Sequence, residues 1–173
     1  LKSNITLIGM PGAGKSTTGV ILAKILGMGF IDTDVRIQTD QGKTLQQIVD
    51  ESGHLALRAV EERIVRSLDV RNHVIATGGS VVYSKMAMDH LRSLSTIVFL
   101  KCGLEELRRR IRNFDSRGIA RKRGQSFDAV FRERQPLYRK YAELTVDCET
   151  PGQEQLAARI AGLVRPPPGE EPT

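Results

Sequence analysis

Gly9-Met-Pro-Gly-Ala-Gly-Lys15-Ser16-Thr17 fits the pattern G-x-x-x-x-G-K-[ST]. Its glycines let successive backbone N–H groups converge on anionic oxygens, and a helix N-terminus behind them adds partial positive charge. Gly12, Ala13, Gly14 and Thr17 would cradle the phosphates of a nucleoside triphosphate, Lys15 would reach the β- and γ-phosphates, and the Ser16 hydroxyl would ligate Mg²⁺. An ordinary glycine-rich turn is the competing reading, but the flanks disfavour it. Asn4–Ile8 before the pattern suits a buried parallel strand, and Thr17 to Leu26 after it carries an apolar helical face.

Other reactive side chains follow strand-like runs. Asp32 and Asp34 lie two apart: one carboxylate could hold Mg²⁺, and the second could orient and deprotonate an attacking hydroxyl. The alternative for Asp34 is helix capping ahead of Val35-Arg36-Ile37. Gly78-Gly79, after His73–Thr77, suits close backbone approach to a ligand or a plain turn. Arg58 reads by periodicity as a surface partner of Glu62, and Arg134 as a solvated helical arginine. Arg110 and Arg117 flank a polar, glycine-containing stretch, about residues 112–124, whose composition suits a mobile cationic lid that excludes water and neutralises charge.

Elements must hold these groups together. Strands are expected at Asn4–Ile8, Gly29–Asp32, His73–Thr77, Thr96–Leu100 and Leu144–Asp147. Helices are expected at Lys15–Leu26, Leu55–Leu68, Lys85–Leu91, Leu104–Ile111, Phe127–Ala142 and Gln153–Leu163. The alternation predicts an α/β fold with a parallel sheet covered on both faces, and such sheets bind ligands beyond the carboxyl ends of their strands. The phosphate loop, Asp32–Asp34, Thr77–Ser80 and the start of the arginine-rich segment all fall on that edge. Residues 1–164 are read as one domain and 165–173 (PPPGEEPT preceded by Arg165) as a disordered tail.

Composition narrows the partners. With 27% charged and 40% hydrophobic residues in 173, the chain is ordinary for a globular domain, and it has no apolar run long enough to span a bilayer. The first strand starts close to Leu1, leaving no room there for a secretory signal. Cys102 and Cys148 fit no metal spacing and read as packed thiols, so a cytoplasmic protein is expected. Between Arg108 and Arg139 there are eleven Lys/Arg against Asp115, Asp128 and Glu133, more than the whole net charge of +6. With no Trp and no interleaved aromatic array, this segment reads as a cover over an anionic site rather than a nucleic-acid surface.

Together these positions resemble the shikimate kinase family of P-loop kinases, from Asn4 to about Val164. The resemblance rests on G-M-P-G-A-G-K-S-T, D-T-D at Asp32–Asp34, L-R-x-x-E-E at Leu57–Glu62, T-G-G at Thr77–Gly79 and E-R-Q-P-L-Y at Glu133–Tyr138. It implies a five-stranded parallel sheet with a closing lid, and transfer of the ATP γ-phosphate to the 3-hydroxyl of shikimate by a monomer that binds neither nucleic acid nor membrane. It further implies that Lys15 and Ser16 serve ATP and Mg²⁺ and that Asp32 helps hold the ion. Asp34 would bind the acceptor hydroxyls and act as base. Arg58 and Arg134 would grip the acceptor carboxylate, Gly78 and Gly79 would offer backbone contacts, Arg117 would meet the transferring phosphate, and Arg110 would sit beside the adenine. Two positions depart from the family pattern: Ser80 stands where a third glycine is usual, and Gly118-Ile119 follow Arg117 in place of Pro-Leu. A serine in a left-handed backbone would cost about 1–2 kcal/mol. The alternatives are a kinase of the same fold for another small hydroxylated acid, gluconate- or homoserine-like, and a non-catalytic P-loop module.

Overall fold

The computed structural model describes residues 2–111, 118–148 and 152–164. Five parallel strands form one sheet in the order β2-β3-β1-β4-β5. They are β1 (Asn4–Ile8), β2 (Gly29–Asp32), β3 (His73–Ala76), β4 (Ser95–Lys101) and β5 (Leu144–Asp147). The helices are α1 (Lys15–Leu26), α2 (Thr33–Gln41), α3 (Leu45–Arg66), α4 (Lys85–Leu94), α5 (Leu104–Arg110), α6 (Phe127–Tyr141) and α7 (Gln153–Val164). Central β1 is buried along its whole length, and Leu7, Ile75, Val98, Phe99 and Leu100 are fully enclosed. That is why the central strands read as near-continuous apolar runs: helices cover both faces of a parallel sheet, and exposure is confined to strand ends and the edge strands β2 and β5.

Three of the expected strands form with the expected ends, and β3 and β4 with ends moved by a residue. Two helical stretches were not expected. α2 (TDVRIQTDQ) buries only Thr33 and Ile37, too thin an apolar stripe to reveal a helix. It starts because Asp32 caps it: Asp32 Oδ1 accepts from the amides of Asp34 (2.9 Å) and Val35 (3.3 Å). The capping reading of Asp34 is therefore wrong, since the strand-end Asp32 takes that place and leaves Asp34 in the first turn. α3 begins ten residues before Leu55, at a capping box in which Thr44 and Gln47 satisfy each other's amides. At Gly53 its backbone turns to φ 82°, ψ 169°, which breaks the helix into two segments.

The β1–β3–β2 edge feeds α1, the Thr77–Ser80 turn and α2 to one end of the sheet, and β4 feeds α5 to the same end. A short 3-10 turn, Val81–Tyr83, continues from Ser80. The expected lid falls partly outside the described residues, at 112–117. Its returning half is described, with Ile119 and Ala120 buried.

Candidate active site

Between β1 and α1 the chain turns tightly enough that Gly14 caps α1 at φ 89°, in the left-handed region. That backbone favours glycine, and a Cβ there would also press on the Gln153 side-chain amide, 2.7 Å away. Ala13 is fully buried, and Gly12, Gly14, Ser16 and Thr17 line the cleft that opens in front of the loop. Lys15 is buried and donates through Nζ to the carbonyls of Gly9 (2.8 Å) and Met10 (2.9 Å). The loop's own carbonyls thus hold the ammonium at its mouth.

Ser16 Oγ donates to Asp32 Oδ2 at 2.5 Å, so the two groups proposed for a metal are already side by side. Among the described residues no group of three or more His, Cys, Asp or Glu could hold a metal unaided. An oxygen pair of this kind fits Mg²⁺, which keeps most of its ligands as waters and phosphate oxygens.

One cleft of about 150 Å³ is bordered by Lys15, Ser16, Asp34, Gly79 and Arg134. It is of the order that takes a benzene-sized ring in an engineered cavity. Thr33, fully buried, accepts from the Gly78 amide through Oγ1 (3.1 Å), and the Gly79 carbonyl accepts from Tyr138 Oη (2.6 Å). The expectation that Gly78 and Gly79 both offer their backbone outward is thereby narrowed, because the Gly78 amide serves the fold. What the glycines do supply is room: a Cβ on Gly78 would lie 2.3 Å from Glu61 Oε1 and 2.7 Å from Asp34 Oδ1.

Arg134 is almost completely buried and not the solvated residue its helix position suggested. Its Nη2 donates to the Ala120 carbonyl (2.8 Å) and its Nε to Tyr83 Oη (3.4 Å). Arg58 donates to the same carbonyl (3.3 Å), with its guanidinium 3.6 Å from the Tyr83 ring centroid. The expected surface pair with Glu62 does not form: Glu62 accepts from Ser84 Oγ (2.6 Å) and faces Arg66. The two arginines are brought together, although Arg58 stands behind the cleft wall, along a groove it shares with Tyr83 and Ser84. Tyr83 is held in turn by Glu133 (2.5 Å), whose carboxyl this bond keeps below its ordinary range. Arg110 is oriented by Glu106 (2.6 Å) and the Cys148 carbonyl (2.8 Å), on the β5 side of the phosphate loop. Arg117 lies outside the described residues. Part of the basic segment is neutralised locally, since Arg108 pairs with Glu105 and Asp128 and Arg109 with Glu106.

Residue reasoning undervalued Glu61. A helical Glu-Glu pair ordinarily faces water, yet Glu61 is buried against the cleft. Burial, reinforced by the neighbouring Asp34 carboxylate and opposed by a bond from Ser80, pushes its pKa to about 7. Ser80 itself sits at φ −93°, ψ −6°, so the feared left-handed strain is absent. The signal that could have found Glu61 is its spacing of three from Arg58 and four from Leu57, one helical face with a buried leucine.

A phosphate loop at the carboxyl edge of a parallel sheet, facing a carboxylate and a buried arginine across one small cleft, defines a P-loop phosphotransferase acting on a small molecule. The shikimate kinase family model matches residues 11–164. The chain is 31% identical to the shikimate kinase of Persephonella marina over 94% of its own length and 99% of that protein. It is 38% identical to that of Paracidovorax citrulli over 84% and 82%. The structure of shikimate kinase from Acinetobacter baumannii in complex with shikimate superposes with a TM-score of 0.83 at 29% identity, covering 94% and 93%. That from Aquifex aeolicus gives 0.78 at 30%, covering 91% and 93%. The chain belongs to the shikimate kinase family, and it is a kinase that uses ATP and an alcohol acceptor.

Proposed function

We propose that this chain phosphorylates the 3-hydroxyl of shikimate through the residues that border the cleft. The carrying observation is the convergence of Lys15, Asp34 and Arg134 on one cavity sized for a single small ring. The phosphate loop binds the ATP phosphates, and Lys15 exchanges its bonds to Gly9 and Met10 for β/γ-phosphate oxygens. Ser16 and Asp32 would hold Mg²⁺, which supplies charge neutralisation at the phosphates when bound. Asp34 accepts the acceptor's hydroxyl proton, and the Gly79 amide contacts the acceptor. Arg134, with Arg58 behind it, draws in the carboxylate; a guanidinium fork matches that group in geometry and charge. Arg110 flanks the base of the nucleotide and Arg117 meets the transferring phosphoryl group. Residues 1–164 act as one domain, working as a monomer, with 112–124 as lid.

Most of the rate enhancement then comes from positioning and from fixed positive charge, because phosphoryl transfer leaves little covalent chemistry to the protein. The test is ADP release by the purified protein in Mg-ATP on addition of shikimate. Turnover with shikimate and none with gluconate or homoserine supports the assignment; the reverse order rejects it.

A further inference from the structure

Ser80 is the position at which the chain departs from the expected run of three glycines, and the structure gives its side chain a specific partner. The hydroxyl is buried and donates to Glu61 Oε2 at 2.5 Å. The other oxygen, Glu61 Oε1, is buried with no hydrogen-bond partner. It is not remote from the reaction site: one point, the place a Cβ on Gly78 would occupy, lies 2.3 Å from it and 2.7 Å from Asp34 Oδ1. A carboxyl group has two oxygens and one rotatable end. Pinning Oε2 to Ser80 from one side therefore turns Oε1 toward Asp34 on the other.

We propose that Ser80 is a positioning residue for the acceptor chemistry: its hydroxyl fixes the Glu61 carboxyl so that Oε1 holds the Asp34 carboxylate in place across Gly78. This rests on Asp34 being the group that receives the acceptor hydroxyl. Two carboxyl groups side by side, Glu61 buried and Asp34 half-buried, cannot both stay ionised cheaply, so the buried one keeps its proton. On Glu61 that proton belongs on Oε1, since Oε2 already accepts from Ser80. Oε1–H then donates toward Asp34 and holds its carboxyl at the border of the cleft. The charged groups facing Glu61 are Asp34 from α2, Arg134 from α6, Lys15 from α1 and Arg58 from its own helix; the first favours the protonated form and the three cations oppose it. Removing the Ser80 bond removes a further influence that favours the ionised form.

The experiment uses the whole chain with Ser80→Ala and Ser80→Gly, each checked for an unchanged melting temperature, against Glu61→Gln and the double variant Ser80→Ala/Glu61→Gln. Expected for both Ser80 variants is a drop in kcat of tenfold or more with shikimate, with the KM for ATP within about twofold of the parent. The double variant should lose little beyond Glu61→Gln alone, because Ser80 acts through Glu61. Isotope-edited infrared titration of the acceptor-free protein should show the Glu61 carboxyl ionising at higher pH in Ser80→Ala. An unchanged kcat, or losses that multiply in the double variant, overturns the proposal. A Glu61 titration unmoved by Ser80→Ala does so as well. If Glu61 responds to Ser80 while the parent protein leaves shikimate unphosphorylated, the coupling stands and the acceptor assignment is what fails.

Discussion

Asp34 and Glu61 are two carboxyl groups of unequal surroundings, and the inequality assigns their work. Asp34→Asn keeps the shape and removes the proposed proton acceptor. Turnover should fall on the order of a hundredfold or more while the Kd for ATP, measured by calorimetry, stays within about twofold. Equal loss of both would mean a structural role. For Glu61 the prediction concerns stability. Its folded-state pKa, about 7, stands above the ordinary value of 4.5, so folding favours the protonated form. The protein therefore loses stability as pH rises from about 4.5 to about 7, by up to ~3 kcal/mol from this group. Glu61→Gln should melt higher than the parent at pH 8, and the gap should close toward pH 5. A gap of constant size across that range would contradict the assignment of a raised pKa.

Helices and strands were legible in the sequence to the extent that burial wrote them in apolar residues. β1 and β4 are covered on both faces and show it in Asn4–Ile8 and Ser95–Lys101. α2 is written in polar residues because it packs on one narrow stripe, and its start depends on a cap by Asp32, a residue that chemistry had already claimed. The site was legible where a motif fixed the backbone, as at Lys15 and Ser16. It was illegible where tertiary packing inverted the usual preference of a residue, as with buried Arg134 and Glu61. The kink in α3 was equally hidden, since a lone glycine in a helical pattern signals several things. At Gly53 the backbone is left-handed and a Cβ would meet nothing within 4 Å. Gly53→Ala should then cost about 1–2 kcal/mol by backbone strain alone. Urea melts should show a lower midpoint with an unchanged slope; an unchanged midpoint would mean the helix straightens without penalty.

Across the whole molecule, the segment beginning at Gly118 docks on the start of α3. Gly118 (φ 65°) donates its amide to Gln46 Oε1 (2.8 Å), and a Cβ there would lie 2.5 Å from the Gln46 nitrogen and from Leu45 Cβ. Gly118→Ala should therefore dislodge this contact while leaving the sheet intact. Expected is a KM for the acceptor raised about tenfold or more at a melting temperature within a few degrees of the parent. Unaltered steady-state kinetics would show that this docking is irrelevant to turnover. Among the described residues no helix is long and apolar enough to cross a membrane.

The Ala120 carbonyl, which both Arg58 and Arg134 clasp, has a consequence for how a substrate acid arrives. Before any carboxylate enters, the chain supplies a stand-in for it, a neutral oxygen that keeps two like-charged guanidinium groups near each other. The newcomer's affinity is then the difference between what it gains from that pair and what the displaced carbonyl forfeits. On the proposed reading of Arg58 and Arg134 as the clamp for the acid, an arriving carboxylate and the Ala120 carbonyl compete for one set of donors.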